Sequence, residues 1–327
     1  MKFPDVFFLH QRDVPAIEKY LREVRWLQPE EEVLEARLAG QGNMNYVLRV
    51  STGRRSFILK QSRPWVEKYP HIAAPWDRAL VEAEFYRTVR ELPSVASAMP
   101  ALLGFDADAH ILQLADLGEA PTFEFLYSGG AFGPGELTSL TTYLSDLHAG
   151  FRDPALRTSF ANAEMRQLNH EHIFRVPFEA GNGLDLDAIT PGLAALAHEL
   201  QIDSAVRRRV EYLGQTYLGA GQCLLHGDYF PGSWMRAADG VRIIDPEFCF
   251  FGPPEFDWGV MLAHLALSRM AMDPPVGAHL DPHLLRGFAG VEIMRRLIGV
   301  AQLPLPYGVE EKRLMLTRAR GFLLANQ

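Results

Sequence analysis

The chain has few cysteines and no surplus of basic residues. Among its 327 residues only Cys223 and Cys249 are cysteines, and both lie in apolar runs. Two such thiols are too few for a disulfide framework, so we expect buried, reduced cysteines and a reducing compartment. The formal net charge of -8 excludes an overall basic field for nucleic acid, although a local basic pocket stays compatible with it.

Long apolar runs are also missing. No uncharged apolar run reaches the roughly 20 residues that a membrane-spanning helix needs. The first residues, MKFPDVFFLHQRDVP, lack the long apolar core and the small-residue cleavage site of a signal peptide. We therefore expect a cytoplasmic protein whose partners include neither membranes nor nucleic acids.

The composition is that of a globular protein, and its patterning changes along the chain. Hydrophobic residues make up 48% and charged residues 22%, and 327 residues exceed what one core usually serves. Residues 33–62 have the alternation of three strands separated by glycine turns, and two more strands follow before residue 115. From Pro121 onward the spacing is mainly helical. We predict an α+β fold with a small antiparallel-sheet lobe at residues 1–115, a larger helical lobe at residues 116–327, and a ligand cleft between them.

Three features of the first lobe are compatible with phosphate binding. The turn GQGNMN, residues 40–45, joins two predicted strands, and its glycines leave backbone N–H groups able to approach an anion. Lys60 ends the strand SFILK with an apolar stem and a charged tip. Glu82 on the next predicted helix could hold Lys60 in an ion pair, with Glu84 on another helix face as its competitor. Alone, each feature is more often an ordinary hairpin turn or a solvated lysine.

The most informative acidic residues lie in LLHGDYFPGSWMRAADGVRIIDPEFCFFGP, residues 224–253. The triplets HGD (226–228) and DPE (245–247) each follow a predicted strand, and the 17 positions between their aspartates (245 − 228) suit a loop and a hairpin. Carboxylates that converge repel one another, and a divalent cation such as Mg²⁺ relieves that repulsion. A carboxylate left off the metal can accept a hydroxyl proton. Either aspartate alone is more often a cap of a turn or helix, but the ordered set of motifs indicates chemistry.

This order of motifs resembles a known family. GQGNMNYVLRV, FILK, VEAE, HGDYFPGS and IIDPEF are similar to the aminoglycoside phosphotransferase and choline-kinase group, which has the protein-kinase-like fold. The stretch DPEFCFFGPPEFDWGVMLAHLAL resembles methylthioribose kinases more closely still. That subgroup likewise has Ser at the position of Ser233 and a twin arginine in a C-terminal helix, here Arg295 and Arg296. The resemblance extends from about residue 33 to residue 301.

The resemblance implies a kinase that moves the γ-phosphate of ATP to a small-molecule hydroxyl with the help of Mg²⁺. The residues that it places at the nucleotide are Gly40, Gly42, Asn43, Asn45, Lys60, Glu82 and the backbone around Gln113 and Ala115. Asp228 would orient and deprotonate the acceptor hydroxyl, and Asp257 would brace the HGD loop through backbone hydrogen bonds. Asp245 would hold Mg²⁺, with Glu247 and Ser233 as further candidate ligands.

The sequence does not identify the acceptor. Tyr229, Phe230 and Pro231 make the catalytic loop bulkier and more apolar than the usual loop of the family, so we expect a narrower acceptor pocket with Tyr229 in contact with the acceptor. Arg295 and Arg296 point about 100° apart on a helix, so that at least one is a candidate clamp for the acceptor or the phosphate. The alternative is one buried ion pair and one solvated arginine.

The resemblance favours a methylthioribose-like sugar as the acceptor, with an aminoglycoside or amino alcohol as the alternative. An ATP-binding pseudokinase with a regulatory role is the rival from another class. The resemblance to methylthioribose kinases is also compatible with a homodimer. The irregular segment 63–76 is either a lid over the nucleotide or a surface loop anchored by Trp65 and Trp76.

Overall fold

The structure, a computed structural model, describes residues 6–40, 44–270 and 280–325. Its contacts divide the chain into two units. Unit 1 consists of Met1–Ala120 and Arg242–Glu247, and unit 2 consists of Pro121–Val241 and Phe248–Gln327. The division of roles at residue 115 stays a prediction, and the sequence does not reveal that the segment with the DPE motif returns to unit 1.

A five-stranded antiparallel sheet forms the centre of unit 1. In spatial order its strands are β1 (Val33–Leu38), β2 (Tyr46–Thr52), β3 (Ser56–Gln61), β7 (Ile111–Ala115) and β6 (Leu102–Asp106). Phe57 and Leu59 on one face of β3 share an apolar cluster with Ile17 and Leu21 of helix α1 (Val14–Glu23). Because side chains alternate along a strand, Lys60 lies on the opposite face.

The first helix begins directly after a capping residue. Asp13 caps α1, since its side chain accepts a hydrogen bond from the backbone N–H of Ala16 at 3.1 Å. This bond satisfies one of the N–H groups that a helix leaves without an internal partner. The other helices of unit 1 are α2 (Arg78–Val89) and α3 (Pro93–Ala96).

The segment 63–76 is more regular than the sequence predicts. It contains a short hairpin of β4 (Trp65–Val66) and β5 (Tyr69–Ala73). The indole N–H of Trp76 donates to Ser62 O at 2.9 Å, and the ring of Trp76 stacks on His110 at 4.3 Å between ring centroids. These contacts favour the anchored surface loop over a lid on the nucleotide.

Helices make up most of unit 2. They are α4 (Glu136–Gly150), α5 (Ala163–His170), α6 (Leu186–Ile189), α7 (Leu193–Ile202), α8 (Ser204–Leu218), α9 (Glu255–Leu267), α10 (Pro282–Ile298) and α11 (Val309–Leu324). All of α9 is buried, including its polar residues Glu255, Asp257 and His264. A Cβ at Gly259 would lie 2.7 Å from that of Phe288 on α10, so this glycine permits the close approach of α9 and α10. None of the helices in the described ranges has the length and apolarity needed to cross a bilayer.

Short strands position the two acidic motifs. They are β8 (Cys223–Leu225), β9 (Trp234–Ala237), β10 (Gly240–Ile243) and β11 (Phe250–Gly252). β8 pairs with β11, which the sequence analysis does not predict, so that Leu225 lies opposite Phe250. The HGD motif follows β8 directly. Both cysteines are buried and free, and burial raises the pKa of Cys223 to about 12.

Candidate active site

Lys60 is buried between two carboxylates of unit 1. Its side chain is 3% exposed, and its Nζ lies 2.8 Å from Glu82 Oε1 and 2.8 Å from Asp245 Oδ1. Glu84 pairs instead with Arg87 on the surface of α2. Of the two glutamates that the sequence offers, Glu82 is therefore the partner of Lys60.

The charges of this group stabilise the ammonium. Burial alone would lower the pKa of Lys60, but Asp245, Glu82 and Glu247 hold that pKa above its ordinary value. Burial raises the pKa of Glu82, and the ammonium of Lys60 opposes that rise. Asp245 differs from Glu82 because its side chain is 48% exposed, and its φ of 62° is uncommon for a residue other than glycine. Strained backbone of this kind is often found at functional sites.

Glu247 is held by a buried arginine that the sequence analysis does not single out. Arg78, the first residue of α2, places its Nε 3.1 Å from Glu247 Oε2. Asn45 Nδ2 donates to the same oxygen at 2.9 Å. The side chain of Asn45 is thus engaged inside unit 1 with a carboxylate of the DPE motif, and its place at the nucleotide stays a prediction. The sequence offers no signal for this pair, because 169 positions separate Arg78 from Glu247.

The structure describes only some of the remaining residues that the sequence places at the nucleotide. Gly42 and Asn43 lie outside the described residues, and Gly40 lies in a bend at the end of the described segment 6–40. Gln113 lies on β7, paired with β3 on one side and β6 on the other. The N–H of Ala115 donates to Ala101 O at 2.9 Å, so this group is engaged within unit 1 rather than open to a base.

In unit 2, Asp257 braces the HGD loop, which is the structural role that the resemblance implies. Its two carboxylate oxygens accept the backbone N–H of His226 at 2.8 Å and that of Gly227 at 3.0 Å. Gly227 has a φ of 84°, and a Cβ there would lie 2.1 Å from Phe248 O. Only glycine fits such a position without strain. The brace and the glycine together fix the backbone from which Asp228 projects.

The two residues predicted beside Asp228 have different environments. Tyr229 is fully buried, its hydroxyl donates to Leu140 O at 3.0 Å, and its ring stacks on Tyr143. Its side chain therefore belongs to the core, which corrects the prediction that it contacts the acceptor. The hydroxyl of Ser233 donates to the backbone oxygen of Asp228 at 2.9 Å and so closes the loop, and its role at a metal stays a prediction.

Both arginines of the twin motif reach Asp228. Nη2 of Arg295 lies 3.5 Å, and Nη2 of Arg296 lies 3.4 Å, from Asp228 Oδ1. From their separation of about 100° on a helix, the sequence analysis expects at least one of them to act as a clamp, with one solvated arginine as the alternative. Both are buried, so the alternative is wrong. Glu292, about one turn earlier on α10, accepts Nε–H of Arg295 and Nε–H of Arg296 and so turns both guanidinium groups to one side.

Glu292 is itself bound by His264, which in turn is bound by Tyr127. His264 Nε2 lies 2.9 Å from Glu292 Oε1, and His264 Nδ1 lies 2.6 Å from Tyr127 OH. A neutral imidazole satisfies both bonds, because it donates from Nε2 and accepts at Nδ1. Burial lowers the pKa of His264 to about 4. Burial alone would raise the pKa of Glu292, but Arg295 and Arg296 hold it well below its ordinary range.

Two solved structures resemble this chain in fold. The choline kinase LicA from Streptococcus pneumoniae has a TM-score of 0.52 at 14% identity, covering 94% of this chain and 98% of its own. A spectinomycin phosphotransferase, solved with ADP and spectinomycin, has a TM-score of 0.53 at 10% identity, covering 95% of this chain and 97% of its own. The likeness confirms the predicted protein-kinase-like α+β fold, with its antiparallel sheet in the first part of the chain and helices in the second.

Sequence comparison identifies the family. The methylthioribose kinase of Geobacillus sp. (strain WCH70) is 27% identical to this chain, covering 90% of it and 85% of the relative. That of Bacillus cereus (strain G9842) is 24% identical and covers 81% of this chain and 78% of the relative. The model of the phosphotransferase enzyme family matches residues 35–297. Because that match takes in most of the chain, the protein belongs to the phosphotransferase enzyme family and is a small-molecule phosphotransferase.

Proposed function

We propose that the protein is an ATP-dependent kinase that phosphorylates a hydroxyl group of a small molecule, with a methylthioribose-like sugar as the first candidate. The observation that carries the proposal is the position of Lys60 Nζ, 2.8 Å from Glu82 and 2.8 Å from the half-exposed Asp245. This arrangement presents a buried, permanently charged amine beside a carboxylate that remains accessible. Relatives named methylthioribose kinases, at 24% and 27% identity, support the choice of sugar.

Unit 1 supplies the groups for the nucleotide. Lys60 would contact the phosphates as a point charge, with Glu82 fixing its position. Within the described ranges no group of three or more His, Cys, Asp or Glu side chains is arranged to hold a metal ion. Mg²⁺ does not need such a cage, since it usually keeps several waters and binds one or two carboxylates plus substrate phosphates. The exposed carboxylate oxygens of Asp245 fit that chemistry. The cation, when bound, would neutralise charge on the phosphates.

Unit 2 supplies the group for the acceptor. Asp228 would accept the proton of the attacking hydroxyl as the new bond from oxygen to the γ-phosphorus forms and the bond from that phosphorus to the β-phosphate oxygen breaks, leaving ADP. The contacts of 3.4 and 3.5 Å from Arg296 and Arg295 to Asp228 are longer than the roughly 2.7–2.9 Å of a tight charge-assisted bond. The two arginines thus orient the carboxylate of Asp228 without binding it tightly. Phosphoryl transfer depends mainly on such positioning and on charge stabilisation.

The charge around Asp228 bears on the class of acceptor. Two guanidinium groups face this carboxylate, and Glu292 is their shared counter-ion. An acceptor with several positive charges would meet like charge there, which costs free energy. With Glu292 counted, the two carboxylates and the two arginines balance, so the group has no surplus carboxylate to meet a polycation. The surroundings of Asp228 therefore favour an uncharged sugar over an aminoglycoside or an amino alcohol.

Transfer of labelled phosphate from ATP to a panel of acceptors tests the proposal. The panel contains methylthioribose, other sugars, amino alcohols and aminoglycosides. We expect a labelled sugar product with the wild-type protein, and a kcat lower by about 10²- to 10⁴-fold in Asp228→Asn, because the general base is lost. Asp108→Asn, which changes an exposed aspartate in a turn of unit 1, is the matched control. Nucleotide binding without a phosphorylated acceptor, together with a turnover that Asp228→Asn leaves unchanged, would identify a pseudokinase.

A further inference from the structure

His264, on α9, is a fully buried histidine that the proposed function leaves without a role. The side chains bound to its two ring nitrogens, Tyr127 and Glu292, are buried as well. A polar ring is costly to bury unless its nitrogen atoms are bonded, and water does not replace a hydrogen bond that is lost in the core. His264 is therefore fixed in orientation between its two partners.

The carboxylate of Glu292 accepts from three side chains. Oε2 accepts Nε–H of Arg295, and Oε1 accepts Nε–H of Arg296 at 2.8 Å. Oε1 also accepts Nε2–H of His264 at 2.9 Å. Because the last torsion of a glutamate side chain is soft, a donor from another helix is needed to fix its rotation. The bond from His264 thus helps to set where both guanidinium groups lie.

His264 also supports Arg296 by a second route, through Phe230. The guanidinium of Arg296 lies over the ring of Phe230, 4.7 Å from its centroid, an arrangement in which the aromatic face attracts the cation. On the other side, the ring of Phe230 packs against that of His264 at 5.3 Å between centroids. His264 therefore contacts both of the side chains that hold Arg296, namely Glu292 and Phe230.

The far ends of the two arginines are held less firmly. Nη2 of Arg295 lies 3.5 Å, and Nη2 of Arg296 lies 3.4 Å, from Asp228 Oδ1, which is longer than a tight charge-assisted bond. Their direction is consequently set at the Nε ends, where Glu292 binds them. His264 acts on Asp228 only through these neighbours, because a fully buried ring cannot touch the acceptor.

We propose that His264 is a positioning residue of the acceptor site. It fixes the carboxylate of Glu292 and the ring of Phe230, and through them it holds Arg295 and Arg296 toward Asp228. The inference rests on the proposed function of Asp228 at the acceptor, and it adds to that function a residue that touches neither substrate.

The variants His264→Phe and His264→Gln test the hydrogen bond. Phenylalanine keeps an aromatic ring beside Phe230 but has no donor for Glu292, whereas glutamine keeps an N–H donor. In the labelled-phosphate assay with the accepted sugar, we expect KM for the acceptor to rise about 10-fold in His264→Phe, as for the loss of one hydrogen bond. We expect a rise of less than about threefold in His264→Gln, and KM for ATP within about twofold of wild type in both.

Solvent exchange of the Nε–H groups of Arg295 and Arg296, followed by nitrogen NMR of the complete protein, measures the same change without an acceptor. In the wild type both arginines are buried and bonded to Glu292. We expect exchange at least about 10-fold faster in His264→Phe, because a carboxylate that is free to rotate releases its donors more often.

Tyr307→Phe is the matched control, since it removes another buried hydrogen bond to α9, from the Tyr307 hydroxyl to Leu267 O. It should leave the acceptor KM and the exchange rates as in the wild type. Equal effects in this control, or a His264→Phe protein in which either measurement is unchanged, would overturn the inference and leave the kinase proposal standing.

Two further outcomes are distinguishable. A wild-type protein that phosphorylates no acceptor would overturn the proposed function, and the exchange rates would then decide alone whether His264 holds the arginines. Should His264→Phe not fold, Tyr127→Phe takes its place, because it frees the opposite nitrogen of the ring. There we expect about a threefold rise in the acceptor KM together with faster exchange, and unchanged values would overturn the inference.

Discussion

The ion pairs around Lys60 in unit 1 and around Asp228 in unit 2 have opposite arrangements of charge. In unit 1 a single amine, that of Lys60, lies between the carboxylates of Glu82 and Asp245. In unit 2 a single carboxylate, that of Asp228, lies before two guanidinium groups. The first arrangement gathers negative charge around a buried cation, and the second gathers positive charge around a partly exposed anion.

This difference indicates what each unit is able to receive. Together with Glu247 and Arg78, the group around Lys60 contains three carboxylates and two cations, so that it has room for a further positive charge. The group around Asp228 is balanced, because Asp228 and Glu292 face two arginines. A balanced group suits an uncharged hydroxyl compound, whereas a group with surplus negative charge suits a metal ion.

The largest expected effect comes from removing the amine of unit 1. Lys60→Met leaves Glu82 buried without its counter-ion, and breaking a buried pair in this way typically costs about 3–5 kcal/mol of unfolding free energy. We also expect kcat to fall by about 10²- to 10³-fold, as when one preorganised charge-stabilising donor is lost. Urea denaturation and steady-state kinetics measure the two effects.

The double variant Lys60→Met/Glu82→Leu serves as the control. Replacing both members of a buried pair by apolar groups is often close to neutral for stability, so the unfolding free energy is expected to recover while kcat stays low. A double variant as unstable as the single one would contradict the assignment of Glu82 as the counter-ion.

The next effect concerns the convergence of arginines in unit 2. Glu292→Gln removes the charge that holds Arg295 and Arg296 together, so we expect KM for the acceptor to rise about 10- to 100-fold, or roughly 1.4–2.7 kcal/mol. KM for ATP should change little. A merely structural role would not produce this selective change.

Glu136→Gln is the matched control for that measurement. Glu136 also binds an arginine in unit 2, with both oxygens 2.7 Å from Arg236. If the two variants raise the acceptor KM equally, Glu292 has no special part in orienting the twin arginines.

A pH dependence is expected from unit 2. Burial lowers the pKa of His264 in the folded protein to about 4, against an ordinary value of 6.5, so the unfolded chain binds the proton first. The stability that neutral His264 contributes is complete above pH 6.5 and is lost as the pH falls towards 4. Between pH 7 and pH 5 the wild type should lose about 2 kcal/mol more unfolding free energy than His264→Gln. Parallel stability curves for the two proteins would contradict the buried neutral imidazole.

The smallest expected effect concerns the loop that carries Asp228. Ser233→Ala removes the hydrogen bond from the Ser233 hydroxyl to Asp228 O, and one such bond contributes about 1 kcal/mol. Thermal unfolding measures this loss. A destabilisation of several kcal/mol would mean that Ser233 does more than close the loop.

Much of the fold is predictable because its signals are local. Alternation of apolar residues marks the strands on either side of Lys60, and Asp13 at the start of an amphipathic stretch marks the first residues of α1. The hairpin at residues 65–73 is less visible, because prolines and tryptophans obscure its alternation. The pairing of β8 with β11 is not predictable for another reason. Each strand has only three residues, which is too short to show an alternation.

The candidate site is predictable as a set of residues but not as a set of contacts. The motifs lead to Lys60, Asp228 and Asp245, which the structure places in ion pairs. They also lead to Tyr229, whose ring belongs to the core. They do not lead to Arg78, because an arginine at the start of a helix is ordinarily solvated.

Patterning along the chain was thus enough to establish the α+β class, most of the helices and strands, and several of the charged residues of the candidate site. Which charges meet depended on the folded chain, where 185 positions separate Lys60 from Asp245, 169 separate Arg78 from Glu247, and 68 separate Asp228 from Arg296. The reason is physical: helix and strand preferences act over a few neighbouring residues, whereas an ion pair requires only closeness in space and leaves no local signature in the sequence.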